Sequence, residues 1–336
     1  MVRIGIVGIG FMGRIHFLAA SQLSGARVAA VCSRDPAKAA DFSTRHGAAA
    51  QYHSYEAMLA DPRVAVVYIA TPNALHAPQA LAALDAGKHV LVEKPMALTV
   101  GDAEMMVTRA RAAHRVLGVG FHLRHHPVHR EIKRLGDNGD LGNLVFATSL
   151  WGSYGPGLAQ QRERWQMQPD LAGAGSIMGI GVHEIDLLRW LLGQEVVEVT
   201  AMTDGPNDQY PVEFLTAATL RFSDGAIGQF VSSRRLPNGA NGVSVYGTER
   251  RVDGEETLGM TPSGQLRIIH GTETRITRVP LRDAYLTEAE EFSRAVQTGG
   301  PFEASGEDGA RSVAITVAIL EAARAGRFVQ PAEPNV

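Results

Sequence analysis

The run Arg3–Val7 is short, apolar and rich in branched side chains, and it leads straight into Gly8-Ile9-Gly10-Phe11-Met12-Gly13. A strand that meets G-x-G-x-x-G and continues as a helix has to turn within very few residues, and each glycine has its own reason to be there. Gly8 permits the turn, Gly10 leaves the backbone open to a pyrophosphate, and Gly13 lets the helix press onto the strand. The first turn of such a helix offers unpaired N–H groups and the positive end of its dipole to phosphates. Glycines also make plain turns. The strand–helix setting favours a dinucleotide-binding loop formed by Gly8, Ile9, Gly10, Phe11, Met12 and Gly13.

The next hundred residues repeat the same alternation. Strand patterns at Arg3–Val7, Arg27–Cys32, Val64–Ile69, His89–Val92 and Val116–Val119 have little polar alternation, as expected of parallel strands buried on both faces. Helical patterns fall between them at Met12–Gln22, Pro36–His46, Tyr55–Leu59, Leu75–Ala86 and Val100–Ala113. Together they predict an α/β doubly wound parallel sheet, a Rossmann domain over residues 1–120. After Gly120 the pattern changes. Helices are expected at Pro127–Leu135 and Ser176–Leu192, strands at Val196–Met202, Phe214–Phe222, Ala226–Ser232, Gly242–Tyr246 and Leu266–Ile269, and closing helices at Tyr285–Gln297 and Gly306–Ala325. Turn signals such as Ser223-Asp224-Gly225 make this region, residues 121–336, an α+β domain with a mostly antiparallel open sheet.

Bulk composition narrows the function classes. A length of 336 residues suits two domains, and a net charge of −3 supplies no basic field for nucleic acid. The single cysteine, Cys32, cannot form an internal disulfide, which fits a reducing, cytoplasmic location. Gly5, Gly8, Gly10, Gly13, Arg14 and His16 interrupt the apolar start, so it reads as strand and helix and not as an export signal. No run reaches the roughly 18 uninterrupted apolar residues of a membrane span.

The end of the second strand bears on which dinucleotide is held. It reads Cys32-Ser33-Arg34, and Asp35 falls where it would cap the helix that starts at Pro36. A carboxylate facing a 2′-phosphate would repel it. Ser33 would not, and Arg34 with Lys38 would attract it. NADP is therefore expected over NAD, which stays open if Arg34 and Lys38 are merely solvated.

Three further segments carry a resemblance. They are Ala70-Thr71-Pro72-Asn73-Ala74-Leu75-His76, then Ala86-Gly87-Lys88-His89-Val90-Leu91-Val92-Glu93-Lys94-Pro95, and Gly173-Ala174-Gly175 followed by Gly181-Val182-His183-Glu184-Ile185-Asp186. With the glycine loop, they make the chain similar to the glucose–fructose oxidoreductase / inositol dehydrogenase / rhizopine-catabolism (Gfo/Idh/MocA) family along almost its whole length. The resemblance implies hydride exchange between a nicotinamide and a carbinol or carbonyl carbon of a sugar, anhydro-sugar or polyol. It implies Lys94 as general acid and base, with a pKa lowered by partial desolvation, and His183 as the second catalytic group on the substrate oxygen. Thr71, Pro72, Asn73, His76, Glu93 and Lys94 would line the nicotinamide end of the cofactor. Arg124, Trp165 and Tyr285 are candidates for the substrate and cofactor cleft. A homo-oligomer, dimer or tetramer, built on the second domain's sheet is implied as well.

The chain departs from the family pattern at several points. Gly179 stands where many members carry an aspartate one helical turn before the histidine, Ala174 interrupts a triple glycine, and Gln166 replaces an arginine. Asp186 either substitutes for the missing carboxylate or is structural. Two rival readings follow: a dihydrodiol-type dehydrogenase, and a catalytically silent NADP-binding regulator. Four histidines, His122, His125, His126 and His129, have the spacing of one helical face and suggest zinc. Pro127 would start a helix and push His126 out of helical geometry, so no metal is expected there.

Overall fold

The computed structural model describes residues 1–48, 50–154, 161–207 and 210–336. The chain divides into two compact units. The first contains Met1–Gly120, Tyr285–Ala310 and Asn335–Val336, and the second contains Phe121–Ala284 and Arg311–Pro334.

The first unit is a six-stranded parallel sheet with helices between its strands. Its strands are β1 (Val2–Val7), β2 (Ala26–Cys32), β3 (Gln51–Tyr52), β4 (Val66–Ile69), β5 (His89–Val92) and β6 (Leu117–Val119). They are ordered β3-β2-β1-β4-β5-β6. The order reverses between β1 and β4, the position where open α/β sheets bind ligands at their carboxyl edge. The helices are α1 (Phe11–Ser21), α2 (Pro36–His46), α3 (Tyr55–Ala60), α4 (His76–Asp85) and α5 (Val100–Ala112). Burial explains the near-continuous apolar strands: Ile4, Ile6, Val66, Val67, Val90 and Val92 are all closed to solvent. Asp35 caps α2, accepting from the amides of Ala37 (3.0 Å) and Lys38 (3.2 Å) ahead of Pro36.

The second unit holds an eight-stranded sheet. Its elements are α6 (Pro127–Asp137), β7 (Leu144–Gly152), α7 (Pro169–Ala172), α8 (Val182–Leu192), β8 (Val196–Thr203), β9 (Leu215–Phe222), β10 (Ile227–Ser233), β11 (Gly242–Gly247), β12 (Arg251–Glu255), β13 (Gln265–His270) and β14 (Glu273–Thr277). The strand order is β14-β13-β12-β11-β7-β10-β9-β8. Every neighbouring pair is antiparallel except β7 and β10. Gly225, at φ +93, makes the β9–β10 hairpin turn. The strands β7, β12 and β14 are additions to the strands expected from sequence.

The expected helix Ser176–Leu192 is interrupted: Ile177–Gly181 is a π-helical turn, and α8 starts only at Val182. The stretch Pro169–Leu192 is long and apolar enough to cross a membrane by composition, and 83% of its apolar window is buried in the fold. That is the environment of a core helix.

The two closing helices are α9 (Ala284–Thr298) and α10 (Gly306–Ala325). A single boundary after residue 120 would place both in the second domain, but Tyr285–Ala310 packs with the first unit. Aromatic burial accounts for this. Phe292 of α9 meets Tyr68 of β4 edge to face at 5.9 Å and Phe302 at 5.2 Å.

The histidine cluster is built into the second unit through main-chain contacts. His126 is extended (φ −72, ψ 126) and caps α6 at Pro127, so the helical face ends there. His122 Nε2 meets Gly259 O at 3.0 Å, and His126 Nε2 meets Ser263 O at 3.1 Å. His129 donates from Nδ1 to Leu123 O at 2.8 Å, and its Nε2 meets the Thr257 hydroxyl at 2.9 Å. Burial, followed by the neighbouring His126, drives the His129 pKa from 6.5 down to about 3. The unfolded chain then takes up a proton that the folded chain refuses. The stability contributed by neutral His129 is complete above pH 6.5 and is lost as pH falls toward 3. Melting temperature should therefore decline between pH 6.5 and 5. In His129→Gln that decline should be shallower, as thermal unfolding followed by circular dichroism would show.

Candidate active site

Successive strand ends of the first sheet are stitched together by main-chain bonds. Gly8 N donates to Cys32 O (3.2 Å), Ala70 N to Val7 O (2.9 Å), Glu93 N to Ile69 O (2.9 Å) and Gly120 N to Val92 O (2.8 Å). The glycine loop, the Thr71 turn and the Glu93-Lys94-Pro95 turn therefore lie side by side on one edge of the sheet.

The three glycines of the loop have different surroundings. Gly8 has φ +87, and a Cβ there would lie 2.5 Å from Ala70 O. A Cβ on Gly13 would overlap the Gly8 carbonyl, 2.9 Å from its carbon. A Cβ on Gly10 would meet nothing within 4 Å, and no side chain caps the start of α1. The open space over Gly10 and the uncapped amides of α1 fit the phosphates of a dinucleotide. Ile9 and Met12 are half-buried, while Phe11 is exposed.

At the end of β2, Ser33 is half-buried and its hydroxyl accepts from Asp35 N at 3.2 Å, while Arg34 and Lys38 are exposed. The Lys38 amide holds the Asp35 carboxyl below its ordinary pKa, and the Lys38 ammonium lies 3.6 Å from the same group.

The Glu93 side chain is buried and accepts a hydrogen bond from His16 of α1 at 2.8 Å. Its second oxygen accepts from the Lys94 amide at 3.2 Å. Lys94 is half-buried, and its bond to Pro95 is cis. His76 sets one ring nitrogen 2.7 Å from Pro95 O and the other 2.9 Å from Thr71 O, tying the two turns together. Burial lowers its pKa. Thr71 donates its hydroxyl to Gln79 at 2.7 Å, Pro72 is half-buried, and Asn73 is buried in the first turn of the following helix. Tyr285 is buried edge-on against His16, with ring centroids 6.0 Å apart.

Two of the other candidates sit in the core of the second unit. Arg124 is buried and grips Asp186 with two hydrogen bonds, 2.6 and 2.8 Å. Asp186 is thus paired with a guanidinium. His183 is buried among Trp151 (5.5 Å), His122 (4.8 Å) and Phe121 (6.3 Å). Beside it, Glu184 accepts from Ser149 at 2.9 Å, and burial raises its pKa well above the ordinary carboxylate value. Trp165 is half-buried in the short turn Trp165–Met167.

Sequence reading missed two groups. His16 sits on a face of α1 that periodicity marks as ordinary core, 77 residues from its partner Glu93. Arg234, directly after β10, lays its guanidinium over Gly179. No local spacing signals either pairing.

Gly10→Ala should fold as the wild type does and lose dinucleotide affinity. Gly13→Ala should lose both, because its methyl group has no room. Thermal melting with and without added NADPH separates the two outcomes.

The family model described as an oxidoreductase family with an NAD-binding Rossmann fold matches residues 2–121. The Gfo/Idh/MocA C-terminal domain model matches residues 129–253. The chain is 33% identical to 1,5-anhydro-D-fructose reductase of Ensifer adhaerens over 98% of each chain. It superposes with a TM-score of 0.90 on the aldose-aldose oxidoreductase of Caulobacter crescentus complexed with glycerol. There the identity is 28%, over 98% of this chain and 99% of that one. A levoglucosan dehydrogenase complexed with NADH and levoglucosan also gives 0.90, at 25% identity over 99% of this chain and 100% of that one. Sheet order, glycine loop and these matches agree: the chain belongs to the Gfo/Idh/MocA family of NAD(P)-dependent oxidoreductases.

Proposed function

We propose that the protein is an NADP(H)-dependent oxidoreductase of a sugar, anhydro-sugar or polyol, with Lys94 as its proton-transfer group. The observation that carries this reading is the turn at the end of β5. There a half-buried lysine follows a buried carboxylate that is fixed by His16, on the same sheet edge as the glycine loop. When bound, the nicotinamide supplies the hydride. Lys94 Nζ holds the substrate oxygen and gives it a proton during reduction, or takes the proton back during oxidation. His183 is a second hydrogen-bonding group for the substrate oxygen. Glu93, locked by His16, holds the Lys94 main chain and limits where the ammonium can reach. The reductase and the two sugar-oxidising enzymes named above make a carbohydrate the favoured substrate class.

The choice of NADP rests on the end of β2. The Asp35 carboxylate is occupied by the amides of its own helix, while Arg34 and Lys38 are exposed there. The free, buried Cys32 accords with a cytoplasmic enzyme. A homo-oligomer through the outer face of the second unit's sheet accords with Phe146, Leu150 and Tyr246, which are half-buried on that face.

Lys94→Ala should lower kcat by about 100-fold or more at saturating NADPH, measured by nicotinamide absorbance. Near-normal turnover in that variant would remove Lys94 from the chemistry. Arg34→Ala should lower kcat/KM for NADPH by about tenfold and leave that for NADH unchanged.

A further inference from the structure

Gly179 marks more than a missing carboxylate. It lies in the π-helical turn Ile177–Gly181, one turn before His183 and on the same face. A Cβ built on it would sit 3.2 Å from Arg234 Cζ and closer still to Nη2. The guanidinium therefore lies where a side chain at position 179 would begin, and would have to shift to admit one. The strand β10 sets this up. The Arg234 amide donates to Phe214 O at 2.8 Å, and Gly181 of the π-turn packs so close to β10 that a Cβ would lie 3.0 Å from Ser232 Oγ. Where the family resemblance implies an aspartate, this chain has a glycine with a guanidinium over it.

The charge of Arg234 is not consumed by the protein around it. Among the described residues its guanidinium makes no hydrogen bond or ion pair. Glu213 attracts it, but the two Glu213 oxygens are already held by the amides of Gly175 (2.8 Å) and Ile177 (3.0 Å). Burial disfavours the charged form of Arg234, and this acts more strongly than the attraction of Glu213. Arginine nonetheless does not deprotonate in proteins. Arg234 is half-buried, so its charged N–H groups remain open to an incoming anion. A planar fork of N–H donors matches a carboxylate in particular.

We propose that Arg234 is a specificity-determining residue which binds a carboxylate of the substrate, so that the enzyme acts on sugar acids such as uronates or aldonates in preference to neutral sugars. This rests on the sugar oxidoreductase reading above and names its substrate class.

The test uses the full-length enzyme with NADP+ and matched pairs, D-glucuronate against D-glucose and D-galacturonate against D-galactose. Binding of each acid is also measured by calorimetry on NADP-loaded protein. In the wild type, kcat/KM for an acid should exceed that for its neutral partner by about 100-fold. In Arg234→Met that ratio should fall to near one, and in Arg234→Lys, which keeps the charge without the fork, it should lie between. Melting temperature and NADPH binding show that both variants fold. Acid binding that disappears in Arg234→Met, without turnover of any sugar, supports the carboxylate site and overturns the oxidoreductase reading. Turnover of neutral sugars at least equal to that of the acids, or an acid preference that survives in Arg234→Met, overturns the carboxylate site and leaves the oxidoreductase reading standing.

Discussion

The hydrogen bond from His16 to Glu93 is the contact on which the first unit's site depends. It joins the helix that follows the glycine loop to the turn that carries Lys94. The pair is buried, with Tyr68 and Tyr285 packed edge-on around the imidazole. Removing one partner would strand the other's polar group away from water, at a cost of roughly 1–3 kcal/mol or more. The cost of error at this contact is what makes it rigid. Helix α1, whose first amides face the phosphate space over Gly10, and the β5 turn are thereby held as one piece. His76 makes a second such tie, between the Thr71 turn and Pro95. A proton-transfer group works only when its position is fixed to within a fraction of an ångström. Here that precision comes from the buried contacts of His16 and His76 with the turns.

In the second unit the same economy of space gives a different electrostatic result. Bare backbone at Gly179 admits the Arg234 guanidinium, and the Asp186 carboxylate one turn further along α8 is neutralised by Arg124. Glu184 is buried with its pKa raised. Over Gly179 the Arg234 guanidinium is attracted by Glu213, whose oxygens are held by the amides of Gly175 and Ile177. Glycine at position 179 and the arginine that follows β10 together put a guanidinium one turn before His183.

Much of this was legible in the sequence, for reasons that also show where legibility ends. Helices α2 and α10 run over the residues expected, since Asp35-Pro36 and the apolar periodicity of Gly306–Ala325 are local signals. Strands β1, β2, β4 and β5 announce themselves because burial on both faces leaves few polar positions. Strand β7 does not, since Ala147, Thr148 and Ser149 dilute its apolar pattern although it is a central strand. Strand β14 is exposed and polar, Glu273-Thr274-Arg275-Ile276-Thr277, and lies at the sheet's edge. The glycine loop and the Glu93-Lys94-Pro95 turn are contiguous, so sequence alone finds them. His16 with Glu93, Arg124 with Asp186, and Gly179 with Arg234 are paired only by the fold. Sequence spacing therefore reads Gly179 as a loss, where the structure finds a guanidinium in its place.

The most direct test of the account follows the hydride itself. Enzyme supplied with NADPH carrying deuterium at both positions of C4 of the nicotinamide, together with a reducible sugar substrate, is analysed by mass spectrometry of the product. The account predicts one deuterium bound to the new carbinol carbon, which does not exchange with water. A product without the label, or a label that washes out into solvent, would contradict direct hydride transfer and with it the function assigned to this chain.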